Sequence, residues 1–432
     1  MTLETTTKRK DTAPRQAITH HLDEYPLGEI AVVQQGYTFT PSYQGQAAGK
    51  WLYVKVGDLN AHGNTKYLDK TLNYVDDIVL EEMGAKPFPP GSIIFPRVGA
   101  ALRNNNKRIL RYASLTDDNV IIVTVRDTHS CSAEYLYYWF DSQDLQRFCN
   151  DGTVPVINGT NLKRQRVPLP SFALQQVIAS LLSAWDTAIQ KTEQLIAAKE
   201  RHYSHELSRL ISRGQQPHAH VGTFAEEVSA RNRGGRPELL GDFLTESREP
   251  DADQDPFRRL TVRLHLQGVE ARAVRGTESD GATCYFRRRA GHLIYGRQNI
   301  FRGAIGIIPP ELDGYASTQD LPAFDIADGI DPQWLYFWLS RKDFYTSLEA
   351  LATGSGSKRL HPEEFFKVRI FVPALATQTA IARYLNALRE EIGLLGQSVA
   401  ALKTQKRGLM QKLLTGQWRV PVSALQSEHG NF

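Results

Sequence analysis

Hydrophobic positions recur in sevens over the last long segment of the chain, roughly residues 374–414. One heptad position is occupied by Leu385, Ile392, Val399, Lys406 and Leu413. The position four residues earlier is occupied by Ile381, Leu388, Leu395, Leu402 and Leu409. Such an a/d seam predicts a coiled-coil helix rather than an ordinary surface helix. At a rise of 1.5 Å per residue, about 40 residues make a helix ~60 Å long.

The same helix recurs 203 residues earlier in the same register. One heptad position holds Leu182, Ile189, Ile196, Tyr203 and Leu210. The other position holds Ile178, Trp185, Thr192, Lys199 and Glu206, so it is apolar only in its first half. A shared register within one chain favours antiparallel pairing of the two helices, and homodimerisation is the alternative. The polar second half of this heptad position indicates that part of the first helix does not face an apolar helix–helix interface. A partner protein is one candidate for what it contacts.

The segment before each long helix alternates short apolar runs with Gly, Pro and Asn turns, a pattern typical of strands. Each segment ends in an aromatic stretch at helical spacing, YLYYWF (135–140) or WLYFWL (334–339). The strand regions repeat as well, because GSIIFPRVG (91–99) aligns with GHLIYGRQN (291–299) and brings Arg97 onto Arg297. A period near 200 residues indicates duplication of a whole domain-plus-helix unit rather than a solenoid of short repeats.

These patterns predict an α+β fold. It consists of two homologous α/β domains separated by two long antiparallel coiled-coil helices, with an internal pseudo-two-fold repeat. The predicted division is a flexible tail (1–24), a first domain (25–170), a first long helix (171–214), a linker (215–238), a second domain (239–373), a second long helix (374–416) and a C-terminal tail (417–432).

Composition narrows the class of protein only a little. The chain has 432 residues, 41% of them hydrophobic, and no uninterrupted apolar run approaches the ~18 residues of a membrane span. Its polar first residues, MTLETTTKRKDTAPRQ, lack the apolar stretch of a secretion signal. Three scattered cysteines imply neither a disulfide framework nor a zinc site, so a reducing cytoplasm is expected. A net charge of +4 permits nucleic-acid binding without requiring it.

The candidate binding residues lie in basic, amide-rich loops at matching places in both halves. Arg and Lys neutralise phosphates, and Asn, Gln and Arg can pair with base edges in the major groove. A single basic loop is more often a solvated turn, but here such a loop follows a G-x-[IL]-I strand twice. The first-half candidates are Gln35, Tyr37, Lys55, Arg97, Arg103, Asn104, Asn105, Asn106, Lys107, Arg108 and Thr153. The second-half candidates are Arg287, Arg289, Arg297, Gln298, Arg302, Lys358 and Arg359.

Motifs for catalysis are missing from the sequence. There is no Asn/Asp-Pro-Pro-Tyr methyltransferase motif and no GxGxxG after a strand. The stretches GQAAGKW (45–51) and GSGSKR (354–359) lack P-loop spacing. The sequence therefore predicts a non-catalytic protein that binds no metal or cofactor. Two similar domains joined by rigid helices would suit two half-sites of duplex DNA at a fixed distance.

Several segments carry a family resemblance over nearly all of residues 25–420. The end of the chain, ALKTQKRGLMQKLLTGQWRV (401–420), is the most specific, and Gly57-Asp58-Leu59, GSIIFPRVGA and the DGT…INGTNL…VPLP approach to the first helix agree with it. The chain resembles the specificity (S) subunit of type I restriction–modification enzymes. One departure lies at the helix starts, where PSFALQQVI and PALATQTAI replace the usual P-x-x-E-Q-x-x-I.

The resemblance implies that each domain is a target-recognition domain for one half of a bipartite DNA site. The helices would fix the spacer and dock two adenine-methyltransferase subunits, and through them up to two ATP-driven restriction subunits. S-adenosylmethionine, ATP and magnesium would belong to those partners. One alternative is a structural adaptor that assembles proteins without binding DNA. Another is a detached specificity module of a different defence enzyme.

Overall fold

The computed structural model describes residues 22–61, 63–150, 152, 154–211, 235–274, 284–354 and 357–418. The predicted terminal tails (1–24 and 417–432) and the linker (215–238) lie mostly outside these residues. The chain packs into two compact units. The first combines residues up to Thr192 with those from Ser398 onward, and the second is Glu193–Gln397. By packing, each long helix is therefore shared between the units, whereas the sequence suggested helices standing apart from the domains.

The first unit is built on a sheet whose central strands are apolar on nearly every residue. Its strands are β1 (Glu24–Pro26), β2 (Ala31–Gln35), β3 (Trp51–Val54), β4 (Tyr67–Leu68), β5 (Tyr74–Val75), β6 (Ile93–Pro96), β7 (Arg108–Leu110), β8 (Ser114–Thr116), β9 (Val120–Val125) and β10 (Arg166–Pro168). The main sheet has the order β2-β9-β6-β7-β4, beside a smaller sheet β5-β3-β8. Strands β1 and β10 pair antiparallel immediately before the long helix.

Short helices pack on the two sheets of the first unit. They are α1 (Leu27–Ile30), α2 (Asp77–Glu82), α3 (Ala133–Asp141) and α4 (Gly159–Lys163). Helix α3 begins at Ser132, whose hydroxyl accepts from the Tyr135 amide at 3.4 Å, as an N-cap residue does. Its residues from Tyr135 to Phe140 are all buried. The aromatic segment read from the sequence is thus the helix that fills the core of the domain.

The second unit repeats this arrangement. Its strands are β11 (Arg236–Leu239), β12 (Leu244–Ser247), β13 (Leu260–Val262), β14 (Val269–Ala271), β15 (Tyr285–Arg287), β16 (Leu293–Tyr295), β17 (Ile305–Ile307), β18 (Ala316–Thr318), β19 (Ala323–Ile326) and β20 (Arg369–Val372). Its helices after α5 (Phe172–Ile211) are α6 (Pro332–Leu339), α7 (Lys342–Ser347), α8 (Pro362–Phe366) and α9 (Leu375–Leu414). Helix α6 is the aromatic core helix, capped by Asp331.

Strand order shows that the sequence repeat is a duplication of the fold. The order β12-β19-β16-β17 in the second unit matches β2-β9-β6-β7 in the first, with the same antiparallel pairs. The pair β11–β20 likewise matches β1–β10. The mixture of sheets, short helices and long helices confirms the predicted α+β class.

The long helices α5 and α9 contribute to the core of both units. In the first unit, Ile178 and Leu182 near the start of α5 join Leu413 near the end of α9 in the cluster around α3. In the second unit, Leu385 near the start of α9 joins Leu210 at the end of α5 around α6. Each unit therefore buries the start of one long helix beside the end of the other, as antiparallel pairing requires.

The polar seam positions of α5 are satisfied within the chain. Lys199 pairs with Glu391 of α9 at 2.7 Å. Glu206, only 5% exposed, pairs with Arg209 at 2.7 Å. The hydroxyl of Thr192 donates to the Ala188 carbonyl one turn earlier. Ion pairs and backbone bonds thus replace the dry seam in this half of α5.

Candidate nucleic-acid interface

Arg97 and Arg297 occupy equivalent places at the ends of β6 and β16. The Arg97 amide donates to the Asn119 carbonyl at 2.7 Å, and the Arg97 carbonyl accepts from the Ile157 amide at 2.9 Å. The Arg297 amide donates to the Asp320 carbonyl, and its carbonyl accepts from the Leu360 amide, both at 2.9 Å. Arg97 is therefore held between the turn after β8 and the loop that leads into α4. Arg297 is held in the same way between the turn after β18 and the loop that leads into α8.

Equivalent backbone bonds close that loop at its base in the two units. The Asn150 amide donates to the Val156 carbonyl at 3.0 Å in the first unit, and Thr353 and Arg359 exchange backbone bonds of 3.0 and 2.9 Å in the second. The candidate Thr153 lies outside the described residues of this loop. The alignment of Arg97 with Arg297 thus extends to a shared edge built from three chain segments.

The side chains that line this edge differ between the two units. Arg97 is half-buried, and its Nε donates to the Asp118 carbonyl at 3.0 Å. The Asp118 carboxylate accepts from the Thr38 hydroxyl at 3.2 Å. In the second unit, the Arg297 guanidinium lies 3.0 Å from Nε2 of His361. The same backbone arrangement therefore carries a different set of hydrogen-bond donors and acceptors in each unit.

The loop around Gln35 and Tyr37 joins the edge of the first unit. Gln35 is exposed at the end of β2, and the Tyr37 amide donates to the Thr116 carbonyl at 2.8 Å. A Cβ on Gly36 would lie 2.1 Å from that carbonyl oxygen, so only glycine permits this approach. Lys55 lies elsewhere in the unit and donates from Nζ to Oε1 of Gln44 at 2.8 Å.

Only part of the amide-rich loop after Arg97 faces solvent. Arg103 and Asn104 are exposed at the end of the 3-10 turn Gly99–Asn104. Asn105 has a φ of 54°, and its side chain accepts from the Leu145 amide and donates to the Gln143 carbonyl. Asn105 therefore ties the loop down and does not present a free amide.

The next basic residues also face inward. Lys107 is 2% exposed, and its Nζ donates to the Gln143 carbonyl at 2.7 Å. Burial lowers the pKa of Lys107 to about 8. Arg108 donates from Nε to the Asn64 carbonyl at 2.8 Å, and burial lowers its pKa too. Asn106 bonds to the side chain of Asn60. These three residues hold the loop together rather than offering contacts to a ligand.

In the second unit, Gln298 and Arg359 lie together beside Arg297. The Gln298 amide, turned with its oxygen toward Arg359, accepts from Nε of that residue at 3.2 Å. Arg359 is also 3.6 Å from an Asp320 carboxylate oxygen. Lys358 is exposed and pairs with Glu349 at 2.9 Å. Arg302 is exposed at the end of the 3-10 turn Ile300–Arg302.

Arg287 and Arg289 are balanced by acidic neighbours. Arg287 is 2.5 Å from Asp253, and Arg289 is 2.8 Å from Glu249. Arg288 between them points inward, where its Nε donates to the Ser317 hydroxyl at 2.7 Å. Because Arg288 is buried and each of its two neighbours is paired with a carboxylate, the run of three arginines does not form one basic patch.

Two groups of contact residues, one at the candidate interface and one at the starts of the long helices, were not predicted from the sequence. Asp118 bonds Arg97, and Thr38 bonds Asp118, through tertiary packing of separate loops that no local pattern encodes. Gln175 and Gln378 are buried at the starts of α5 and α9, and the offset of 203 residues that relates them is visible in the sequence. That repeat was a usable signal.

No set of His, Cys, Asp and Glu side chains that could hold a metal ion occurs among the described residues. Over the same part of the chain, no helix has the length and apolar character needed to cross a bilayer.

Comparison with known proteins agrees with this architecture. Residues 21–200 match the family model described as the type I restriction modification DNA specificity domain. The type I restriction enzyme MjaX specificity subunit of Methanocaldococcus jannaschii is 22% identical over 377 residues, covering 81% of this chain and 83% of that relative. The MjaIX specificity subunit of the same organism is 23% identical, but that match covers 39% of this chain and only 38% of the relative.

Solved structures show the same fold. The type I restriction–modification S subunit from M. genitalium has a TM-score of 0.55 at 13% identity, covering 92% of this chain and 97% of that one. A chain from a structural study of complex assembly and conformational transition in a type I restriction–modification system has a TM-score of 0.52 at 14% identity, covering 92% and 100%. Residues 21–200 therefore match the DNA specificity domain of type I restriction–modification enzymes, and the chain has the fold of these solved structures.

Proposed function

We propose that this chain is the DNA-specificity subunit of a type I restriction–modification complex, and that each unit reads one half of a bipartite site. The observation that carries the proposal is the shared edge at Arg97 and Arg297. The same backbone bonds hold the two arginines, while the surrounding side chains differ. Two domains with the same backbone at this edge but different side chains are suited to a DNA site with two unlike halves.

The chemistry of the exposed residues supports this assignment. Arginine can donate to guanine through two parallel bonds, and Gln or Asn can pair with adenine. Gln35 and Asn104 are exposed in the first unit, and Gln298 lies beside two arginines in the second. Arg103 and Arg302 are exposed cations suited to phosphates. Lys107, Arg108, Arg287 and Arg289 are not part of the proposed contact surface, because each is buried or paired within the protein.

We further propose that the long helices fix the spacer between the two half-sites and dock two adenine-methyltransferase subunits. Up to two restriction subunits would join through them. S-adenosylmethionine, ATP and magnesium would be bound by those partners, and the complex would act on DNA in the cytoplasm. The 40 residues of α5 and of α9 support the spacer role, because helices of that length span about 60 Å each.

Substitution of the two equivalent arginines tests the assignment of readers to half-sites. Arg97→Ala is expected to weaken discrimination at one half-site by about 10- to 100-fold, the range of one lost bidentate base contact. Arg297→Ala is expected to do the same at the other half-site only. The measurement is DNA methylation by the assembled complex on duplexes mutated in one half-site at a time.

Arg166→Ala and Arg369→Ala are the matched controls. Both residues are exposed, lie on β10 and β20 and are themselves related by the 203-residue offset. They should leave both half-sites unchanged. Equal loss at both half-sites from either Arg97→Ala or Arg297→Ala would contradict the one-domain, one-half-site assignment.

A further inference from the structure

A buried glutamine bonds the start of each long helix to its domain. In the first unit, Oε1 of Gln175 accepts from the Ser132 amide at 2.8 Å. Nε2 of the same residue donates to the Ser130 carbonyl at 3.0 Å and to the Pro170 carbonyl at 2.8 Å. A single planar amide thus joins the start of α5, the segment before it and the turn that begins the aromatic helix α3.

The second unit forms the same set of three amide hydrogen bonds between helix and domain, which we call the joint. Oε1 of Gln378 accepts from the Asp331 amide at 2.8 Å. Its Nε2 donates to the Gly329 carbonyl at 3.2 Å and to the Pro373 carbonyl at 2.9 Å. The exposed fractions of Gln175 and Gln378 are 0% and 1%. The bonding pattern is therefore identical in two places, although the residues that surround it differ.

Apolar contacts near the helix start also hold each helix against its domain. Ile178 and Leu182 of α5 pack into the core beside α3, as Ile381 and Leu385 of α9 do beside α6. Apolar contact is non-directional and tolerates small rotations, whereas hydrogen bonds weaken steeply away from a straight geometry. The three bonds of the amide therefore add a directional constraint at the helix start, besides the bond between Tyr138 and Asp186 farther along α5.

We propose that Gln175 and Gln378 are positioning residues that set the angle of each recognition domain on its helix and thereby the spacer length that the complex accepts. This inference rests on the proposed function, since spacer length has meaning only if the two units read two half-sites. Neither glutamine touches DNA. Both act through the orientation of the domain that carries the reading loops.

The test uses Gln175→Glu in the full chain, assembled with its methyltransferase subunits. A carboxylate at this position would face the Ser130 and Pro170 carbonyls without a proton to donate, so the joint opens. The exposed neighbour Gln176→Glu introduces the same charge next to the joint and serves as the control. Gln175→Met, which keeps the length of the side chain and adds no charge, is the second variant. Gln378→Glu probes the other joint.

Methylation rates are measured on duplexes that keep both half-sites and vary the spacer one base pair at a time. For the natural chain and for Gln176→Glu, one spacer should be strongly preferred. For the joint variants, the preference over spacers one base pair longer or shorter should fall by about tenfold, a loss of the order of one or two hydrogen bonds. The bases required within each half-site should not change.

Three outcomes separate the possibilities. If the natural chain directs no methylation to split sites, the proposed function itself fails. If it selects one spacer and the joint variants select that spacer just as strongly, the positioning role alone is overturned. Lower thermal stability with unchanged spacer preference in Gln175→Glu and Gln175→Met would likewise reduce the glutamines to structural residues.

Discussion

At the scale of single residues, burial separates contacts for a ligand from contacts that hold a loop. The stretch Arg103 to Arg108 reads as one basic, amide-rich loop, yet only Arg103 and Asn104 point outward. The left-handed turn at Asn105 reverses the chain and sends Lys107 into the core. A loop sequence shows which side chains can bind phosphate or bases, but the turn geometry decides which ones do.

Lys107 gives a prediction about pH. Its pKa is lowered to about 8 by burial, while an unfolded lysine titrates near 10.4. Between these values the unfolded chain binds more protons than the folded chain, so stability rises with pH across that window. Lys107→Met removes this dependence. The free energy of unfolding of the natural chain should rise relative to that of the variant by up to about 3 kcal/mol from pH 8 to pH 10.4.

Urea unfolding of both proteins at several pH values measures this difference. Comparing the two proteins cancels the titration of the buried tyrosines. Lys70→Met, at an exposed lysine, is the control and should follow the natural chain. A constant difference between the natural chain and Lys107→Met over the whole pH range would show that Lys107 is not desolvated.

At the scale of elements, the two halves have the same backbone fold but differ in the polar side chains that join their helices. In the first unit, Nζ of Lys406 lies 2.6 Å from Asp186 and 3.3 Å from Asp141. Tyr138 donates to the same Asp186 at 2.7 Å. Burial lowers the pKa of Lys406, but these two carboxylates outweigh it and keep the pKa above its ordinary value. A charged network therefore joins α3, α5 and α9 in this unit.

The second unit places different residues at the repeated positions. Tyr203 stands where the 203-residue offset brings Lys406, and Arg389 stands where it brings Asp186. The Arg389 guanidinium lies over the rings of Tyr336 and Phe337, 5.6 and 5.9 Å from their centres. A cation–aromatic contact thus replaces the ion-pair network, so the two helix contacts are not interchangeable.

Lys406→Tyr, which copies the residue of the other half, should destabilise the first unit. It leaves Asp141 and Asp186 partly buried without their cation. Removing one partner of a buried pair costs about 3–5 kcal/mol, and we expect about 2–3 kcal/mol because Asp186 keeps 27% of its side chain exposed. Chemical unfolding measures the loss. Arg407→Tyr, at the exposed next position of α9, should have little effect.

A double-substitution cycle identifies the cause of that loss. If the ion pair is responsible, adding Asp186→Asn to Lys406→Tyr should cost less than the sum of the single changes. Additive losses would show that Lys406 stabilises the unit by packing alone.

Much at this scale was readable from the sequence. The two long helices, the aromatic core helices and the duplication follow from heptads, helical spacing and the 203-residue offset. The joint at Gln175 and the network around Lys406 were not predicted, because each depends on segments that meet only in the folded chain. A polar residue at an apolar heptad position shows that the helix contact is not purely hydrophobic there. Its partner lies far away in the sequence, so the local pattern cannot identify it.

At the scale of the whole molecule, we propose that α5 and α9 act as a ruler that separates two DNA-reading domains. Deleting one heptad from the middle of each long helix, residues 190–196 and 394–400, keeps the a/d phase and removes about 10 Å of helix. The preferred spacer should shorten by about three base pairs at 3.4 Å each. The half-sites themselves should stay the same. Methylation by the assembled complex on the spacer-varied duplexes measures the shift.

Three base pairs also turn the duplex through about 100°, so the shortened protein should bind its new site more weakly than the natural chain binds its own. Removing the heptad from only one helix would break the pairing of α5 with α9 and is expected to abolish site-specific methylation. If the double deletion left the spacer unchanged, the helices would not be the ruler.

The most direct measurement is a genome-wide map of adenine methylation in the source cells, with and without this chain. We expect a split motif with two unlike half-sites and one fixed unspecified spacer, present in the natural cells and lost on deletion. Methylation that is unchanged by deletion, in cells where the partner methyltransferase is expressed and binds this chain, would contradict it.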